Sequence, residues 1–444
     1  MQQKQNTEPY RIGLVGLGTI GTGVAKILLQ KKSQLARAVG RPIELAAICD
    51  KDFNRERDIA LPPGLLSGDL AKITNDPTIE LVVELVGGTG FAKELVLTML
   101  ENGKNIVTAN KALVANCGTE VFESARKNGK TIAFEAAVCG GIPILGVLQT
   151  TLQANCFRSI RAIVNGTSNF ILSQMEEKGT SYSEAVKEAQ RLGYAEADPT
   201  LDVDGTDAAQ KLAILAQLGY GVNVDWKSIP KQGIEDVSAI DIHYAKELGY
   251  KIRLLAVAEK SESDSSEQSG LELHVSPTLV SENSSLADVS DAFNAVEILG
   301  DAVGPAFFHG YGAGQMPTAS SVVGDIIDTI LGRTAITFNA LNFCSPQNET
   351  ATLKAPSDIS GKSYLRIMVE DRPGVLHEIS GILGKHKISV ASLIQHDSRR
   401  ENNDVIPLII TTHESKEHEI LQAIGEISKL ACVKSKPIRM WVRD

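Results

Sequence analysis

A short segment in the middle of the chain places acidic side chains just ahead of a lysine. Five carboxylates fall within 12 residues: Glu196, Asp198, Asp202, Asp204 and Asp207. A helix that begins near Gly205 puts Asp207 and Lys211 on one face, because residues four apart are neighbours on a helix. Residues 208–218 are strongly apolar, so we expect Lys211 to be partly buried. This pattern suits a site that binds an amino acid's ammonium group and moves a proton. A surface loop followed by a helix salt bridge is the alternative.

A glycine-rich turn near the N-terminus has the spacing of a dinucleotide-binding loop. Residues 13–23 read GLVGLGTIGTG, which gives G-x-G-x-x-G-x-G between an apolar run and a helical pattern. We expect Gly16 to make a tight turn, Gly18 to admit a pyrophosphate above the helix N-terminus, and Gly21 to allow close helix–strand contact. A loop that uses glycine for positive φ is the alternative, but the flanking strand and helix favour a nucleotide site. The predicted contact residues are Leu17, Gly18, Thr19, Ile20 and Gly21.

An acidic residue, Asp50, ends the second apolar run, where dinucleotide sites bind the ribose 2′-hydroxyl. It follows the glycines by about 30 residues rather than the usual figure of about 20. A longer first helix and a loop at residues 37–42 can absorb the difference. Asp50 favours NAD, whereas Lys51, Arg55 and Arg57 can pair with the 2′-phosphate of NADP or form a solvated charged loop. The preference between NAD and NADP therefore stays open.

A second lysine, Lys111, stands in the sequence VTANKALVA at the end of a predicted parallel strand. Ligands bind at the carboxyl ends of such strands. We therefore place Thr108 and Lys111 at the nucleotide site, and we treat Lys111 and Lys211 as candidate catalytic residues.

These residues require a parallel sheet to position them. Predicted strands alternate with helical segments, the first helix at about residues 21–34, and this alternation indicates a parallel sheet covered on both faces. The strands are predicted at residues 11–15, 43–49, 79–86 and 105–108. Residues 1–133 are thus expected to form an α/β nucleotide-binding domain of the Rossmann type.

The remainder of the chain has a different texture. Residues 134–341 mix strands and longer helices, which predicts an α+β domain with an exposed loop at 261–270 and a helix at 318–331 that packs back on the first domain. Residues 342–361 are rich in Ser, Pro, Asn and Asp, as in a linker. Residues 362–444 follow the order β-α-β-β-α-β of a split β-α-β, ferredoxin-like sandwich.

Composition excludes several classes of protein. The chain has 444 residues and a net charge of −10, which argues against nucleic-acid and membrane-surface binding. No apolar run approaches a membrane span, and the polar N-terminus lacks a signal core. The six cysteines are scattered without zinc-like spacing. We expect a cytoplasmic enzyme.

The acidic segment also carries a family signature. Residues 189–211 have the form A-x-x-x-G-Y-A-x-x-D-P-x-x-D-V-x-G-x-D-x-x-x-K, with every defining position occupied. This segment resembles the signature of homoserine dehydrogenases. Four other blocks are similar to the family's and follow its order: ELVGG (84–88), TANK (108–111), NGTSN (165–169) and GAGQMPTA (312–319). The tail, with DRPGVL at 371–376, resembles an ACT regulatory domain, as in the long bacterial members of the family.

The resemblance implies reversible reduction of L-aspartate 4-semialdehyde to L-homoserine with NADP or NAD, a step of threonine, methionine and isoleucine biosynthesis. By the same resemblance, Lys211 is the proton donor and Lys111 the second active-site lysine. Glu196 binds the substrate ammonium, supported by Asp202 and Asp207. Gly312 matches a glycine that closes over the cofactor.

The resemblance also implies a cation loop, a regulator and an oligomer. The sequence EAAVCGGI at 135–142 matches a monovalent-cation loop, with Na⁺ held by Glu135 and the carbonyls of Val138, Gly140 and Ile142; oxygen-only ligation suits such an ion. An ordinary glycine-rich turn is the alternative. The implied effector of the ACT domain is L-threonine, and the implied assembly is a homodimer or homotetramer.

Two other functions are alternatives to this one. One is a related NAD(P)-dependent amino-acid oxidoreductase; an acylating semialdehyde dehydrogenase needs a cysteine with a histidine base, yet no histidine lies between residues 1 and 219. The second is a catalytically dead amino-acid sensor, against which the intact Lys111, Glu196 and Lys211 argue. A fused aspartate kinase would need several hundred further residues.

Overall fold

The computed structural model of the chain describes residues 8–260, 270–396 and 405–444. The chain divides into two compact units. The first unit contains Met1–Ile160, Ala209–Ser228 and Asn294–Ala351, and the second contains Arg161–Ala208, Ile229–Phe293 and Thr352–Asp444. The loop expected at residues 261–270 lies, apart from Gly270, outside the described residues.

The strands begin and end as follows, in chain order: β1 (Tyr10–Val15), β2 (Ile43–Cys49), β3 (Leu66–Ser67), β4 (Ile79–Glu84), β5 (Asn105–Thr108), β6 (Ile132–Ala133), β7 (Phe157–Ile163), β8 (Tyr250–Lys260), β9 (Leu271–Ser281), β10 (Phe293–Gly300), β11 (Gly304–Tyr311), β12 (Ser360–Glu370), β13 (Val390–Ile394), β14 (Val405–Thr412), β15 (Ser415–Lys416) and β16 (Ile438–Arg443). The helices are α1 (Thr19–Gln30), α2 (Lys32–Val39), α3 (Ala71–Thr74), α4 (Phe91–Glu101), α5 (Lys111–Lys127), α6 (Ile144–Gly146), α7 (Gly166–Lys178), α8 (Tyr182–Leu192), α9 (Thr200–Val203), α10 (Thr206–Tyr220), α11 (Ala239–Glu247), α12 (Gln315–Ile330), α13 (Arg333–Leu341), α14 (Val375–Lys385) and α15 (Glu417–Ile427).

The first unit is built on a parallel sheet with the strand order β3-β2-β1-β4-β5-β6. This is the order of doubly wound dinucleotide-binding sheets, in which ligands bind at the carboxyl ends of the strands. The central strands are continuous apolar runs because helices cover both faces, and Ile12, Leu81 and Val83 are fully buried. The predicted α/β fold is confirmed.

One helix boundary in this unit was predicted wrongly. The helix expected at residues 21–34 ends at Gln30, since Lys31 leaves the helical conformation with φ −107° and ψ 26°. A second helix, α2, follows, and it is terminated by the C-cap residue Gly40, whose φ of +76° favours glycine. Helix α2 therefore accounts for the long spacing between the glycine-rich turn and β2.

Helix α12 packs directly against α1. A Cβ atom on Gly23 would lie 2.7 Å from the carbonyl oxygen of Gln315 and 2.9 Å from Cβ of Ala319, so only glycine allows this approach. Ala319 and Ile326 are buried in the same core as Val24. A segment distant in sequence thus supports the helix that begins at the glycine-rich turn.

The second unit contains a sheet segment with the order β8-β9-β16-β12-β14-β13, and β15 pairs with β12. The described parts of residues 360–443 follow the predicted β-α-β-β-α-β order, with the two-residue strand β15 added between β14 and α15. Strand β16 runs parallel to β9, with Trp441 opposite Thr278, and so joins this C-terminal sheet to β8 and β9. The last strand, β16, begins at Ile438, directly after Pro437, which has no N–H for the ladder.

A buried carboxylate, Asp241, connects the two parts of the second unit. Its side chain is 0% exposed and caps α11 by accepting hydrogen bonds from the backbone N–H and hydroxyl of Ser238. It also accepts from the Tyr364 hydroxyl at 3.0 Å and from Nε of Arg366 at 2.8 Å, both on β12. Burial and this carboxylate raise the pKa of Tyr364 far above its usual value. The charge on Asp241 is tolerated because these donors satisfy it.

Arg366→Met should therefore destabilise the protein by about 3–5 kcal/mol, because it leaves a buried carboxylate without its counter-charge. The measurement is urea unfolding of the full chain. Lys436→Met is the matched control: its ion pair with Asp236 spans 3.8 Å between side chains that are 82% and 56% exposed, and such pairs contribute about 0–1 kcal/mol. Equal losses in the two variants would contradict this account of Asp241.

Within the described residues, none of the helices combines the length and the apolar character needed to cross a membrane.

Candidate active site and nucleotide site

The glycine-rich turn between β1 and α1 is shaped by close approaches of its backbone. Gly16 has φ +95°, and a Cβ there would lie 2.6 Å from the carbonyl oxygen of Leu85. A Cβ on Gly21 would lie 2.1 Å from the carbonyl oxygen of Gly16, so helix and turn touch through backbone alone. A Cβ on Gly18 would have Nη1 of Arg55, at 3.9 Å, as its nearest neighbour, so the space above the turn is open.

The first turn of α1 presents backbone donors to that space. Its N-cap, Gly18, has no side chain to accept a hydrogen bond, and the helical bonds begin with the Thr22 N–H to the carbonyl of Gly18. The N–H groups of Thr19, Ile20 and Gly21 belong to the set that a helix cannot satisfy internally. The site can therefore hold a phosphate at the positive end of the helix dipole.

Asp50 is turned inward and holds the glycine-rich turn. One carboxylate oxygen accepts a hydrogen bond from the Leu17 N–H, and the other accepts from the Asp52 N–H at 2.7 Å. Nη2 of Arg57 lies 3.7 Å from Asp50, and the guanidinium also donates to the carbonyls of Leu17, Asp52 and Arg55. Asp50 and Arg57 thus fix the loop, a use that their sequence positions did not reveal. Arg55 is exposed and donates to the Thr19 hydroxyl at 3.2 Å.

A second loop of the first unit is organised by Glu84, which is fully buried. Its carboxylate accepts from the N–H groups of Val86 and Gly87 at 2.8 and 3.0 Å and from the Thr108 hydroxyl at 2.6 Å. The Thr108 hydroxyl in turn accepts from the Asn110 N–H, and Asn110 caps α5, whose first residue is Lys111. Thr108 therefore anchors the loop, and the network fixes where Lys111 begins its helix.

Gly312 lies in a tight backbone contact with the predicted cation loop. A Cβ on Gly140 would be 2.4 Å from the carbonyl oxygen of Gly312, and the Gly141 N–H donates to the Tyr311 carbonyl at 2.9 Å. A Cβ on Gly312 would be 2.1 Å from the amide of Asn294. That amide is fully buried, and neither its nitrogen nor its oxygen has a hydrogen-bond partner among the described residues. Asn294, a buried polar residue of the strand FNAVEILG, is a candidate that the sequence reasoning missed.

Glu135 in the same loop is half-buried, and its carboxylate accepts from the N–H groups of Leu145 at 2.9 Å and Gly146 at 2.6 Å. Burial raises the pKa of Glu135 to about 7 despite these two hydrogen bonds. Burial and the neighbouring Glu135 carboxylate also raise the pKa of Asp325 well above its usual value. This corner of the first unit therefore concentrates acidic oxygen atoms in a desolvated setting.

In the second unit, two predicted carboxylates meet at one amide. Nδ2 of Asn165 donates to Asp202 and to Asp207, each at 2.8 Å. The carbonyl of the same side chain caps α7 by accepting from the Ser168 N–H at 2.8 Å. The Ser168 hydroxyl donates to the main-chain carbonyl of Asp202. The block NGTSN thus begins a helix and holds the acidic segment at once, so Asn165 belongs to the site although the sequence reasoning did not name it there.

The remaining carboxylates of the segment have separate uses. Asp198 accepts from the N–H and hydroxyl of Thr200, and these hydrogen bonds lower the pKa of its carboxyl. Asp204 pairs with Lys231 at 2.6 Å. Glu196 is exposed, and its main-chain carbonyl accepts from Nε2 of Gln190 at 3.2 Å. Lys211, in the first unit, follows Asp207 by one turn of α10 and is half-buried, as expected.

A doubly wound parallel sheet with an open glycine-rich turn, and an acidic segment leading to a half-buried lysine, define a nicotinamide-nucleotide-dependent oxidoreductase. Three family descriptions match the chain. Residues 16–135 match "Homoserine dehydrogenase, NAD binding domain", residues 143–327 match "Homoserine dehydrogenase", and residues 363–429 match "ACT domain". The chain belongs to the homoserine dehydrogenase family.

Individual relatives agree with this assignment along nearly the whole chain. A homoserine dehydrogenase of Neisseria gonorrhoeae is 43% identical over 436 residues, 98% of each chain, and one of Bacillus subtilis is 39% identical, covering 96% of this chain and 97% of the relative. Among solved structures, a homoserine dehydrogenase from Thiobacillus denitrificans superposes with a TM-score of 0.90 at 39% identity and covers 99% of both chains. A hyperthermophilic archaeal homoserine dehydrogenase in complex with NADPH matches with a TM-score of 0.58 at 27% identity, over 73% of this chain and 98% of its own.

Proposed function

We propose that Lys211, Lys111 and Glu196 perform the chemistry of this homoserine dehydrogenase, the reversible reduction of L-aspartate 4-semialdehyde to L-homoserine. The observation that carries the assignment is the shared amide of Asn165, which donates to Asp202 and to Asp207, and Asp207 precedes Lys211 by one turn of α10. When bound, NAD(P)H supplies the hydride. The open space beside Gly18 and the uncapped start of α1 fit its pyrophosphate.

The protein groups then act on the substrate. The Lys211 ammonium donates to the aldehyde oxygen, stabilises the developing alkoxide and supplies the proton. Lys111, at the start of α5, supports the same oxygen and the cofactor. The exposed Glu196 carboxylate pairs with the substrate ammonium, while Asp202 and Asp207 hold the segment in place. Residues 1–133 serve as the nucleotide-binding domain, 134–341 as the catalytic and dimerisation domain, and 362–444, after the linker 342–361, as the regulatory domain.

Lys211→Met should lower kcat by about 10²–10⁴-fold, the usual contribution of general acid catalysis. The dissociation constant of the reduced cofactor should not change, because the substitution leaves the glycine-rich turn intact. Steady-state kinetics and cofactor fluorescence titration measure the two quantities. Lys72→Met, which alters an exposed lysine on α3, is the control. Near-normal turnover of the Lys211 variant would remove this lysine from the mechanism.

We propose NADP as the preferred cofactor, with Arg55 as its 2′-phosphate partner. Asp50 and Arg57 are committed to the loop, whereas the exposed Arg55 lies beside the glycine-rich turn. Both oxygen atoms of Asp50 already accept hydrogen bonds from the loop, which favours Arg55 as the side chain that meets the 2′ position of the ribose.

Arg55→Ala should therefore raise KM for NADPH by about 10- to 100-fold, the effect of losing a hydrogen bond to a charged group, and leave KM for NADH nearly unchanged. Kinetics with both cofactors measure this change in preference. Arg37→Ala, an exposed position on α2, should leave both constants as they are. An equal rise for both cofactors would contradict the proposed 2′-phosphate contact.

We further propose a structural Na⁺ at Glu135 and the carbonyls of Val138, Gly140 and Ile142. The donor set is oxygen only, as monovalent cations require. The buried acidic oxygen atoms of Glu135 and Asp325, whose pKa values burial raises, support a compensating positive charge there.

L-threonine is the proposed effector of the C-terminal domain, and a homodimer or homotetramer the proposed assembly. Gly374, the N-cap residue just before helix α14, has φ +96° and no side chain to cap the helix. The free N–H groups at this helix start suit the carboxylate of an amino acid. The last strand of the sheet, β13, exposes Val390 and Leu393, which favours pairing with a second copy.

Millimolar L-threonine should inhibit the full chain, and raising the homoserine concentration should not relieve the inhibition. Coupling between separate sites of this kind is typically about 1–3 kcal/mol. Initial rates with L-threonine are compared with rates in D-threonine, which has the same composition and the wrong hand. An enzyme indifferent to L-threonine would exclude this effector.

A further inference from the structure

A sharp turn separates the two carboxylates that Asn165 holds. Asp202 and Asp207 flank it, and its centre is Gly205, with φ +84°. The Asp204 carboxylate accepts from the N–H and the hydroxyl of Thr206, each at 2.8 Å. Nζ of Lys231 donates to Asp204 at 2.6 Å and to the Thr206 hydroxyl at 2.7 Å. One ammonium therefore closes the turn from both sides of Gly205.

The segment that carries Lys231, residues 230–234, is itself held tightly. The Ile234 N–H donates to the Val203 carbonyl at 2.9 Å, and a Cβ on Gly233 would lie 2.4 Å from that same oxygen. On its other side, the Val275 N–H in β9 donates to the Pro230 carbonyl, and the Gln232 N–H donates to the Val275 carbonyl. The backbone beneath Lys231 is thus fixed between β9 and the turn.

The electrostatics of the turn depend on the same lysine. Burial raises the pKa of Asp204, but the hydrogen bonds from Lys231 and Thr206 outweigh it and bring the pKa below its usual value. Asp204 is therefore ionised at neutral pH. Without Lys231 its negative charge would remain two residues from Asp202, and the turn would lose the ammonium that donates to both Asp204 and Thr206.

We infer that Lys231 is a positioning residue of this enzyme: by clamping Asp204 and Thr206 across Gly205, it sets the orientation of Asp202 and Asp207 and of the start of α10. The inference rests on the proposed roles of these residues in substrate binding. Lys231 acts through the turn and does not touch the substrate. Small misplacements of binding groups cost about 10²-fold in rate. Because the turn carries residues proposed to bind the substrate, losing Lys231 should change the kinetics for the substrate and not the affinity for the cofactor.

The test compares Lys231→Met with wild type, with Lys187→Met as control, since Lys187 is an exposed lysine on α8 of the same unit. We expect kcat/KM for L-homoserine to fall about 10- to 100-fold, the dissociation constant of the cofactor to stay unchanged, and the control to match wild type. Asp204→Asn, which keeps the shape of the side chain, provides a second variant should the first not fold. The double variant should lose much less than the product of the two single losses, because both remove one interaction.

A folded Lys231→Met enzyme with wild-type kcat/KM would overturn the inference, as would a lower Tm with unchanged kinetics or strictly multiplicative losses in the double variant. These outcomes differ from failure of the proposed function. If wild type does not oxidise L-homoserine, the function itself is wrong; if wild type is active and the lysine variant is equally active, only the role of Lys231 is wrong.

Discussion

Two carboxylates bound to a single amide are the constraint around which this site is built. Like charges at Asp202 and Asp207 repel, and the Nδ2 group of Asn165 donates to both at 2.8 Å. Because the carbonyl of that side chain also caps α7, the orientation of the amide is fixed by the start of a helix. The position of the acidic segment, and with it the start of α10, thus depends on where α7 begins.

The residue types predicted where the site lies better than they predicted what each side chain binds. Asp198 and Asp204 have the same side chain as Asp202, yet their carboxylates accept hydrogen bonds from the N–H groups of Thr200 and Thr206. Asp50 stands where a ribose-binding acid is expected, and its carboxylate accepts a hydrogen bond from the Leu17 N–H. A carboxylate serves a turn, a cap or a ligand equally well, and only its three-dimensional neighbours distinguish these uses.

The sequence predicted elements that depend on local patterns and failed where distant contacts decide. The strands at 43–49 and 105–108 have the predicted bounds, because apolar runs and flanking turns define them locally. The break in the first helix at Lys31 was missed, and the strand predicted at 79–86 ends at Glu84. The pairs Lys231–Asp204 and Arg366–Asp241 join residues 27 and 125 apart, and no spacing rule reaches that far.

The pairing of β16 with β9 gives the C-terminal domain a structural role that does not depend on binding an effector. Strand β9 is almost wholly buried; it pairs with β8 on one side, and on the other its residues Thr278–Val280 pair with Trp441–Arg443. Removing the tail would turn an interior strand into an open edge, and such an edge recruits strands of other chains. A chain shortened at the linker would therefore expose unpaired backbone groups of β9 at Thr278–Val280. The C-terminal domain thus covers a strand edge of the part of the chain that precedes it.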